Sequence, residues 1–346
     1  MICSIIRANE KDGVAMLELM EQAKLGAPIE IMLTRRPDAF SSYKKECRDA
    51  EVFLVKFGDE IVLEIACLFH ELSIDGNFAR AGYICGLRKK EGFLKIDYKK
   101  LAQTIFNECK CDIYYANILD INVRALKILA KGHKALPPMH PVCRYSLFVF
   151  RPVRFKSSKS SKSPDGNCFR GAVESDYPSI EKFLYGQRKG YDFFPAFDFK
   201  QFADMNIRDF YILEQNDEIL CVCALWRQEG FKQYIVRRYN GILKILSVLP
   251  IFPKAGEIQK NPVLTYFVAK DDRQEHYREM LKQINAVMLN KFAFYTIGAA
   301  HSSELYKVLS KKTNAARFDS TVYTVDFENK NSVSPNGKIH IEGGFL

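Results

Sequence analysis

The sequence predicts a mixed α/β fold of the α+β type, built from two similar units, and three observations support this prediction. The chain has 346 residues, which is enough for two ordinary domains. Its apolar fraction of 47% and its aromatic fraction of 13% are typical of globular proteins. The same order of predicted strands and helices occurs twice, at 1–152 and at 167–328, on either side of a Ser/Lys-rich linker at 153–166. The remaining residues, 329–346, are polar and contain glycine, which predicts a loose tail.

The first unit begins with a strand and a helix and continues with an antiparallel hairpin. Gly58, Asp59 and Glu60 give the turn signal of that hairpin. Apolar residues recur at helical spacing after Asp97, which is the expected N-cap of a helix. The predicted strands lie at 2–8, 51–57, 61–73, 78–87, 112–117 and 144–150, and the predicted helices at 13–24, 40–48, 97–109 and 122–131.

The second unit repeats this order with one insertion, 231–246, whose pattern is helical. Asp176 and Pro178 mark the start of a helix. Asp272 is an expected N-cap, with Glu275 at the spacing of a capping box. The predicted strands lie at 167–173, 210–215, 218–225, 263–269, 292–297 and 321–327, and the predicted helices at 176–188, 199–205, 231–246, 272–288 and 303–311.

The net charge of +10 raises the question of nucleic-acid binding. Five of the cations lie in or beside the linker: Arg151, Arg154, Lys156, Lys159 and Lys162. This run is compatible with a solvated linker and with a polyanion contact, and its Ser/Lys composition favours the linker. Nucleic acid is therefore not expected as the main partner.

The ten cysteines are scattered among apolar residues, and no signal peptide precedes them, which predicts free thiols in a cytoplasmic protein. Cys109 and Cys111 form a C-x-C pair, as do Cys221 and Cys223. No further pair or histidine cluster stands at metal-site spacing, so no metal is expected. No apolar run reaches the roughly 18 residues of a membrane span, so no membrane partner is expected either.

Two segments of the first unit carry a family resemblance. The segment 81–88 reads Ala-Gly-Tyr-Ile-Cys-Gly-Leu-Arg, and the segment 122–132 has an Asn-x-x-Ala helix that ends in Lys-Gly. In the order of its predicted strands and helices, and in these two segments, the chain resembles the GCN5-related N-acetyltransferase (GNAT) superfamily, in its tandem two-domain bacterial form. In the second unit, Ala-Leu-Trp-Arg-Gln at 224–228, Phe-Lys-Gln at 231–233 and Tyr-Asn-Gly at 239–241 are similar to a recurring pattern of those tandem chains.

The resemblance implies two acyl-CoA N-acyltransferase (GNAT-like) domains, each with a mixed, mostly antiparallel sheet flanked by helices. It also implies that the pantetheine arm of acetyl-CoA, or of another acyl-CoA, enters between the strands at 78–87 and 112–117. The residues that would contact the cofactor are Ile84, Cys85, Leu87, Lys89, Lys90, Gly92, Lys95 and Asn122. The loop departs from the family pattern because it has a single glycine, and Asn122 is expected either to cap its helix or to touch the pantetheine.

The resemblance also implies a carboxylate base and a tyrosine acid. The tyrosine of the family falls on Leu129 here, which is a departure. Glu64, or Glu71 near the end of the same strand, is the candidate base. Tyr115, or its neighbour Tyr114, is the candidate acid. Each candidate also has a purely structural interpretation: the carboxylates can be ordinary surface residues of a strand, and the tyrosines can be part of the core.

The second unit is predicted to be a degenerate copy, because Asp271 and Asp272 stand where the family binds an anion, and no glycine is present there. The chain as a whole is then a predicted N-acetyltransferase that moves an acyl group from acyl-CoA to an amine of a small molecule or a peptide. The alternative is a non-catalytic GNAT-fold binding or scaffold protein that has lost the CoA loop.

Overall fold

The computed structural model describes residues 3–22, 29–131, 134–153, 166–198, 205–241, 244–245, 247, 254–312, 315–328 and 337–346. The helices are α1 (Gly13–Gln22), α2 (Ala39–Glu46), α3 (Tyr98–Cys109), α4 (Val123–Lys131), α5 (Tyr177–Gln187), α6 (Gln274–Met288) and α7 (Glu304–Leu309). The strands of the first half are β1 (Cys3–Arg7), β2 (Ile29–Thr34), β3 (Glu51–Phe57), β4 (Glu60–Ile74), β5 (Asn77–Lys89), β6 (Ile113–Leu119) and β7 (Met139–Phe150). Those of the second half are β8 (Cys168–Gly171), β9 (Tyr191–Asp192), β10 (Phe194–Pro195), β11 (Phe210–Gln215), β12 (Glu218–Trp226), β13 (Gln233–Tyr239), β14 (Val263–Ala269), β15 (Tyr295–Ala300), β16 (Ala315–Val325) and β17 (Lys338–Ile339).

One large, mostly antiparallel sheet runs through both halves of the chain. Its order is β1-β3-β4-β5-β6-β16-β7-β15-β14-β12-β11-β8, with β10 paired to β4. The pairs β5–β6 and β14–β15 are parallel, and they stand at equivalent places in the two halves. Helices flank this sheet, as the fold class predicted. At the centre, β16 from the second half lies between β6 and β7 of the first half. The predicted boundary at 153–166 stays a prediction, and 154–165 lie outside the described residues.

The insertion at 231–246 is mainly a strand where it is described, and only Lys244 and Ile245 in it are helical. Gln233–Tyr239 forms β13, which pairs with β2, a strand that the sequence did not predict. The apolar residues Ile235 and Val236 are buried in this two-stranded ribbon, so strand pairing between the two halves overrides the helical pattern. The predicted helix at 199–205 lies almost entirely outside the described residues.

The predicted cap at Asp272 is also wrong. Residues 270–272 form a short 3₁₀ turn, and α6 begins at Gln274 without a side-chain cap. The carboxylate of Asp272 instead accepts hydrogen bonds from the hydroxyl of Tyr277 and the ammonium of Lys338. By contrast, the cap at Asp97 is confirmed, since its carboxylate accepts from the amide of Lys100 at 2.9 Å.

The cores follow the two halves of the sheet. The first packs α1, α2 and α3 against β3, β4, β5 and β6. Two further clusters pack α6 and α7 on one side of the second-half strands and α5 on the other. None of the described helices is both long enough and apolar enough to cross a membrane.

Candidate functional site: a wedge between two parallel strands

The strands β5 and β6 pair over a short stretch and then separate. Their parallel register joins Ala81, Gly82 and Tyr83 to Ile113, Tyr114 and Tyr115, and it ends there. Beyond it, β5 continues to Lys89 and β6 to Leu119 without further pairing to each other. We call the opening between 84–89 and 116–119 the first wedge. Main-chain groups that face this opening have no strand partner on that side among the described residues, so they can bind an extended ligand as an added strand would.

A β-bulge shapes the β5 side of the first wedge. The register between β4 and β5 joins Glu64 to Arg88 and Ala66 to Cys85, so Gly86 and Leu87 together oppose a single residue. Gly86 has a φ of +66°, and a Cβ placed there would lie 2.2 Å from the hydroxyl oxygen of Tyr43. Only glycine suits this position, because the backbone is left-handed and α2 covers it closely.

The second half contains an equivalent opening, the second wedge. The pairing of β14 with β15 covers Val263 and Leu264 and then stops. A bulge opposite β12 again follows, and Tyr266 in it has a φ of +49°. The amide of Tyr266 and the hydroxyl of Thr265 both donate to Oε2 of Glu342, each at 2.8 Å.

Residues 341–345 lie in this second wedge, and Lys338–Ile339 pairs with β9, so the prediction of a loose tail is wrong for 337–346. Tyr145 donates its hydroxyl proton to the carbonyl of Ile341 at 3.0 Å, and Gln228 donates to the carbonyl of Gly344 at 2.9 Å. Phe345 is buried and stacks on the imidazole of His70, with the ring centres 4.4 Å apart. The cavity left in the second wedge is about 20 Å³, roughly one water molecule.

A buried ionic network joins the two halves beside the first wedge. Glu46 at the end of α2 forms ion pairs with Arg35 and with Lys232, the latter at 3.1 Å. Lys232 also donates to the backbone oxygen of Leu346 at 3.1 Å. Burial opposes ionisation of Glu46, but the two cations outweigh it and lower the pKa of its carboxyl to about 2.

Glu64 is fully buried in β4, directly across from Arg88 in β5. Neither of its carboxylate oxygens has a hydrogen-bond partner among the described residues, and neither does Nε of Arg88 or of Arg35. Burial raises the pKa of Glu64 to about 8, although Arg88 and Arg35 act in the opposite direction. A buried carboxyl without a partner is costly, which marks this position as a functional candidate.

Tyr115 stands at the closed end of the first wedge, at the last paired position. Its hydroxyl lies 2.7 Å from Nδ1 of His70, and its ring stacks on that of Tyr83. All three side chains are buried, and burial lowers the pKa of His70 to about 4. By strand alternation, Glu64 and His70 share one face of β4, which is the face that meets Tyr115.

The alternative candidates lie on the opposite face. Tyr114 accepts a hydrogen bond from the amide of Cys111 at 3.0 Å and packs against Phe327. Glu71 is exposed, and strand alternation places it on the face away from Glu64. The structure therefore brings Glu64 and Tyr115 to one side of the first wedge and leaves Tyr114 and Glu71 on the other.

Comparisons of the whole chain with known proteins bear on its fold. No protein-family model and no curated protein sequence matches it. Among solved structures, it is similar to Saccharomyces cerevisiae N-myristoyltransferase with bound myristoyl-CoA and inhibitors. The TM-score is 0.57 and the identity 11%, over 93% of this chain and 80% of that one. It is also similar to a conserved protein of unknown function from Enterococcus faecalis, described as a probable N-acyltransferase. Here the TM-score is 0.50 and the identity 7%, over 94% and 72% of the two chains.

The chain has the GNAT fold. Each half of the chain has one parallel strand pair that ends after two or three residues, with a β-bulge beside the opening that follows. The two halves differ in what the wedge contains, because Glu342 and its neighbours enter only the second.

The predicted phosphate-contacting residues of this GNAT fold lie on the β5 side of the first wedge. Lys89 donates to the carbonyl of Phe93 at 2.9 Å, and Lys90 forms an ion pair with Glu60. Gly92, with a φ of +76°, and Lys95 are exposed. The amides at the start of α3 are partly taken, since Asp97 caps them.

On the β6 side of the wedge, Asn122 caps α4 by accepting from the amide of Ala125 at 3.2 Å. Of the predicted strand contacts on the β5 side, Ile84 and Cys85 are half-buried and Leu87 is exposed. Large apolar side chains are exposed near both sides of the opening: Leu87, Leu94, Ile121 and Val123.

Arg35, Glu46, His70 and Lys232 were not predicted as site residues. Glu46 lies in α2 and His70 in β4, whereas Arg35 and Lys232 lie in loops of the first and the second half, so no local spacing links all four. The one signal was the Phe-Lys-Gln pattern at 231–233, which contains Lys232 but says nothing about its partner.

A wider cleft, of about 560 Å³, lies in the second half beside α6. Its walls carry mixed charges, among them Arg273, Glu275, Arg278 and Glu279. Val153, the first residue of the predicted linker, is hydrogen-bonded to Asn285 in the same wall. The cleft is separate from both wedges, and it contains neither a bulge amide nor any predicted site residue.

Proposed function

We propose that this protein transfers an acyl group from an acyl-CoA, acetyl-CoA among them, to an amine of a small-molecule or peptide acceptor. The observation that carries the proposal is the first wedge, with a β-bulge on one side and a buried, unpartnered carboxyl behind it. The fold supports acyl transfer in general, since the solved structures it resembles are named as N-acyltransferases. The acyl group and the acceptor are proposals.

The residues of the first wedge fit the arm of an acyl-CoA. On the side that faces the wedge, the main chain of 84–88 pairs with no described strand, and there it can pair with an extended, amide-containing arm. The exposed apolar residues Leu87, Ile121 and Val123 can cover its methylene groups. The thioester, when bound, supplies the carbon that the amine attacks.

The bulge would stabilise the negative charge that develops on the thioester oxygen. In the second wedge, the amide of Tyr266 holds a carboxylate oxygen of Glu342 at 2.8 Å. The amides of Gly86 and Leu87 stand at the equivalent bulge of the first wedge. Since a preorganised amide is the usual donor to an oxyanion, we assign this role to the bulge of β5.

Glu64 would take the proton that the attacking amine loses. A base works best when its pKa lies near the working pH, and a pKa of about 8 meets that condition. Tyr115 would return a proton to the departing sulfur, and His70, within 2.7 Å of its hydroxyl, would hold it in place. The apparent rate is therefore expected to rise with pH up to about 8, as Glu64 ionises.

The phosphates fit less closely than the arm. Asp97 places a carboxylate at the start of α3, where the GNAT family binds the pyrophosphate. Side-chain cations, such as Lys95, would have to supply most of the attraction, which makes the binding sensitive to salt. This feature favours the second candidate, a non-catalytic scaffold that kept the fold.

Two experiments distinguish the acyltransferase from the scaffold. The first is thermal melting with acetyl-CoA and with CoA, and the second is an assay of CoA release from acetyl-CoA over a panel of amines. A ligand at 100 times its Kd should add about 2.7 kcal/mol of stability. We expect this shift for the native protein and for Glu64→Gln, and CoA release for the native protein alone. Binding without release in both proteins would support the scaffold, and the absence of any shift would contradict the assignment of the first wedge. A cytoplasmic location stays a prediction from the ten free cysteines.

A further inference from the structure

Three cysteines meet at the closed end of the first wedge, on the face that α3 covers. Cys67 comes from β4, Cys109 is the last residue of α3, and Cys111 precedes β6. The sequence showed Cys109 and Cys111 as an isolated pair, and the fold adds Cys67 to it. Cys109 and Cys111 both lie close enough to Cys67 to shift the pKa of its thiol.

Gly82 in β5 leaves the space that two of these sulfurs share. A Cβ on Gly82 would lie 2.8 Å from Sγ of Cys67 and 2.9 Å from Sγ of Cys111. Both sulfurs therefore approach the same point from different elements. A side chain larger than hydrogen at this position would separate them.

The cysteines of this cluster differ in access. Cys67 and Cys109 are buried, whereas Cys111 is only half-buried and so can meet a small reagent. The neighbouring thiol of Cys67 lowers the pKa of Cys111, and the guanidinium of Arg80 lowers it further, against the effect of burial. The pKa of Cys67 is raised by the same contacts and by burial. Cys111 is thus the better nucleophile, and Cys67 lies behind it.

We propose that Cys111 and Cys67 form a peroxide-reactive thiol pair that closes to a disulfide. The thiolate of Cys111 attacks one oxygen of a peroxide, an S–O bond forms, the O–O bond breaks, and the departing oxygen leaves as water after protonation. The thiol of Cys67 then attacks the sulfur of the resulting sulfenic acid and loses its proton. The S–S bond forms, the S–O bond breaks, and a second water leaves. Two thiols are oxidised and one peroxide is reduced.

The cross-link would join β4 to the start of β6 across Gly82, and so tie together the three strands that define the closed end of the wedge. The proposal does not depend on acyl transfer, since it concerns the opposite face of the sheet.

The test treats the full chain with one equivalent of hydrogen peroxide, blocks the remaining thiols, and measures the intact mass and the linked peptides. We expect the loss of two hydrogens and a peptide that links Cys67 to Cys111. Cys111→Ser should abolish the link, and Cys67→Ser should leave a sulfenic acid on Cys111 that dimedone captures. Cys109→Ser is the matched control, and it should form the link as the native protein does.

Three results would overturn the proposal: a link through Cys109, an unchanged reaction in Cys111→Ser, or reaction of the exposed Cys168 before Cys111. Because cysteine and serine have similar sizes, the variants are expected to fold. A melting curve of each variant in the reduced state checks this before oxidation.

Discussion

Replacement of Glu64 by glutamine should make the protein more stable at neutral pH while it removes the proposed base. Glu64 is fully buried and has no hydrogen-bond partner among the described residues. Its pKa lies at about 8 in the folded protein, against an ordinary value of 4.5. Between these two pH values the carboxyl of Glu64 is ionised in the unfolded chain. In the folded protein it must either take up a proton or carry a buried charge, and both cost free energy.

The sign and the size follow from this difference. Below pH 4.5 both states hold the proton, and Glu64 adds no pH dependence. Between pH 4.5 and about 8 the unfolded chain releases the proton and the folded protein keeps it, so stability falls as the pH rises. At 1.36 kcal/mol for each pKa unit, the loss reaches about 3 kcal/mol at pH 7 and levels off near 5 kcal/mol above pH 8. Glutamine cannot ionise, so Glu64→Gln lacks this loss.

Urea unfolding of both proteins between pH 4 and pH 9 measures the difference directly. The two free energies of unfolding should diverge with pH by about 3 kcal/mol between pH 4 and pH 7. The glutamine amide can also change the free energy of unfolding by an amount that is the same at every pH, and this does not affect the slope of the difference with pH. The other titrating groups contribute equally to both proteins, so their contributions cancel in the difference. Glu71→Gln is the matched control, because Glu71 is exposed on the same strand. If the free energies of unfolding of the native protein and of Glu64→Gln changed with pH in parallel, the raised pKa of the buried Glu64 would be refuted.

Three further variants test other parts of the structure. Gly86→Ala should lose about 1–3 kcal/mol more in urea unfolding than Gly92→Ala, because both positions have positive φ but only the first lies against a side chain. An equal loss would remove the case for a closely covered bulge. Asp97→Ser keeps a side chain that can cap α3 but removes a negative charge beside the proposed phosphate site. Calorimetry should therefore find that the variant binds CoA about two- to fivefold more tightly than the native protein. An unchanged affinity would mean that the phosphates bind elsewhere. Phe345→Ala should cost about 3–5 kcal/mol in unfolding, whereas a loss under about 1 kcal/mol would show that the segment is not part of the core.

Local signals in the sequence predicted much of the first half. The cap at Asp97, the turn at Gly58 and the helix after Asn122 each depend on a few adjacent residues, and all three are present. The separation of β5 from β6 was expected from the family resemblance, and the register of these strands agrees with it. The roles proposed for Glu64 and Tyr115 are still predictions, although the fold brings both to one face.

Contacts between distant parts of the chain could not be predicted. The strand Gln233–Tyr239 exists because β2, about two hundred residues earlier, offers it a partner. Residues 337–346 look like a polar tail until the second wedge accepts Glu342. The pairing of Glu46 with Lys232 is likewise set by the packing of the two halves, and a sequence window contains only one of the two residues.

Hydrogen–deuterium exchange of the main-chain amides in 84–88, with and without an acyl-CoA, tests the acyl-transfer account most directly. Binding of the arm in the first wedge should slow exchange at Gly86 and Leu87, while the amide of Tyr266, already held by Glu342, should exchange at the same rate in both samples. An acyl-CoA that leaves the amides of 84–88 unprotected, or that protects only 263–269, would contradict the assignment of the first wedge.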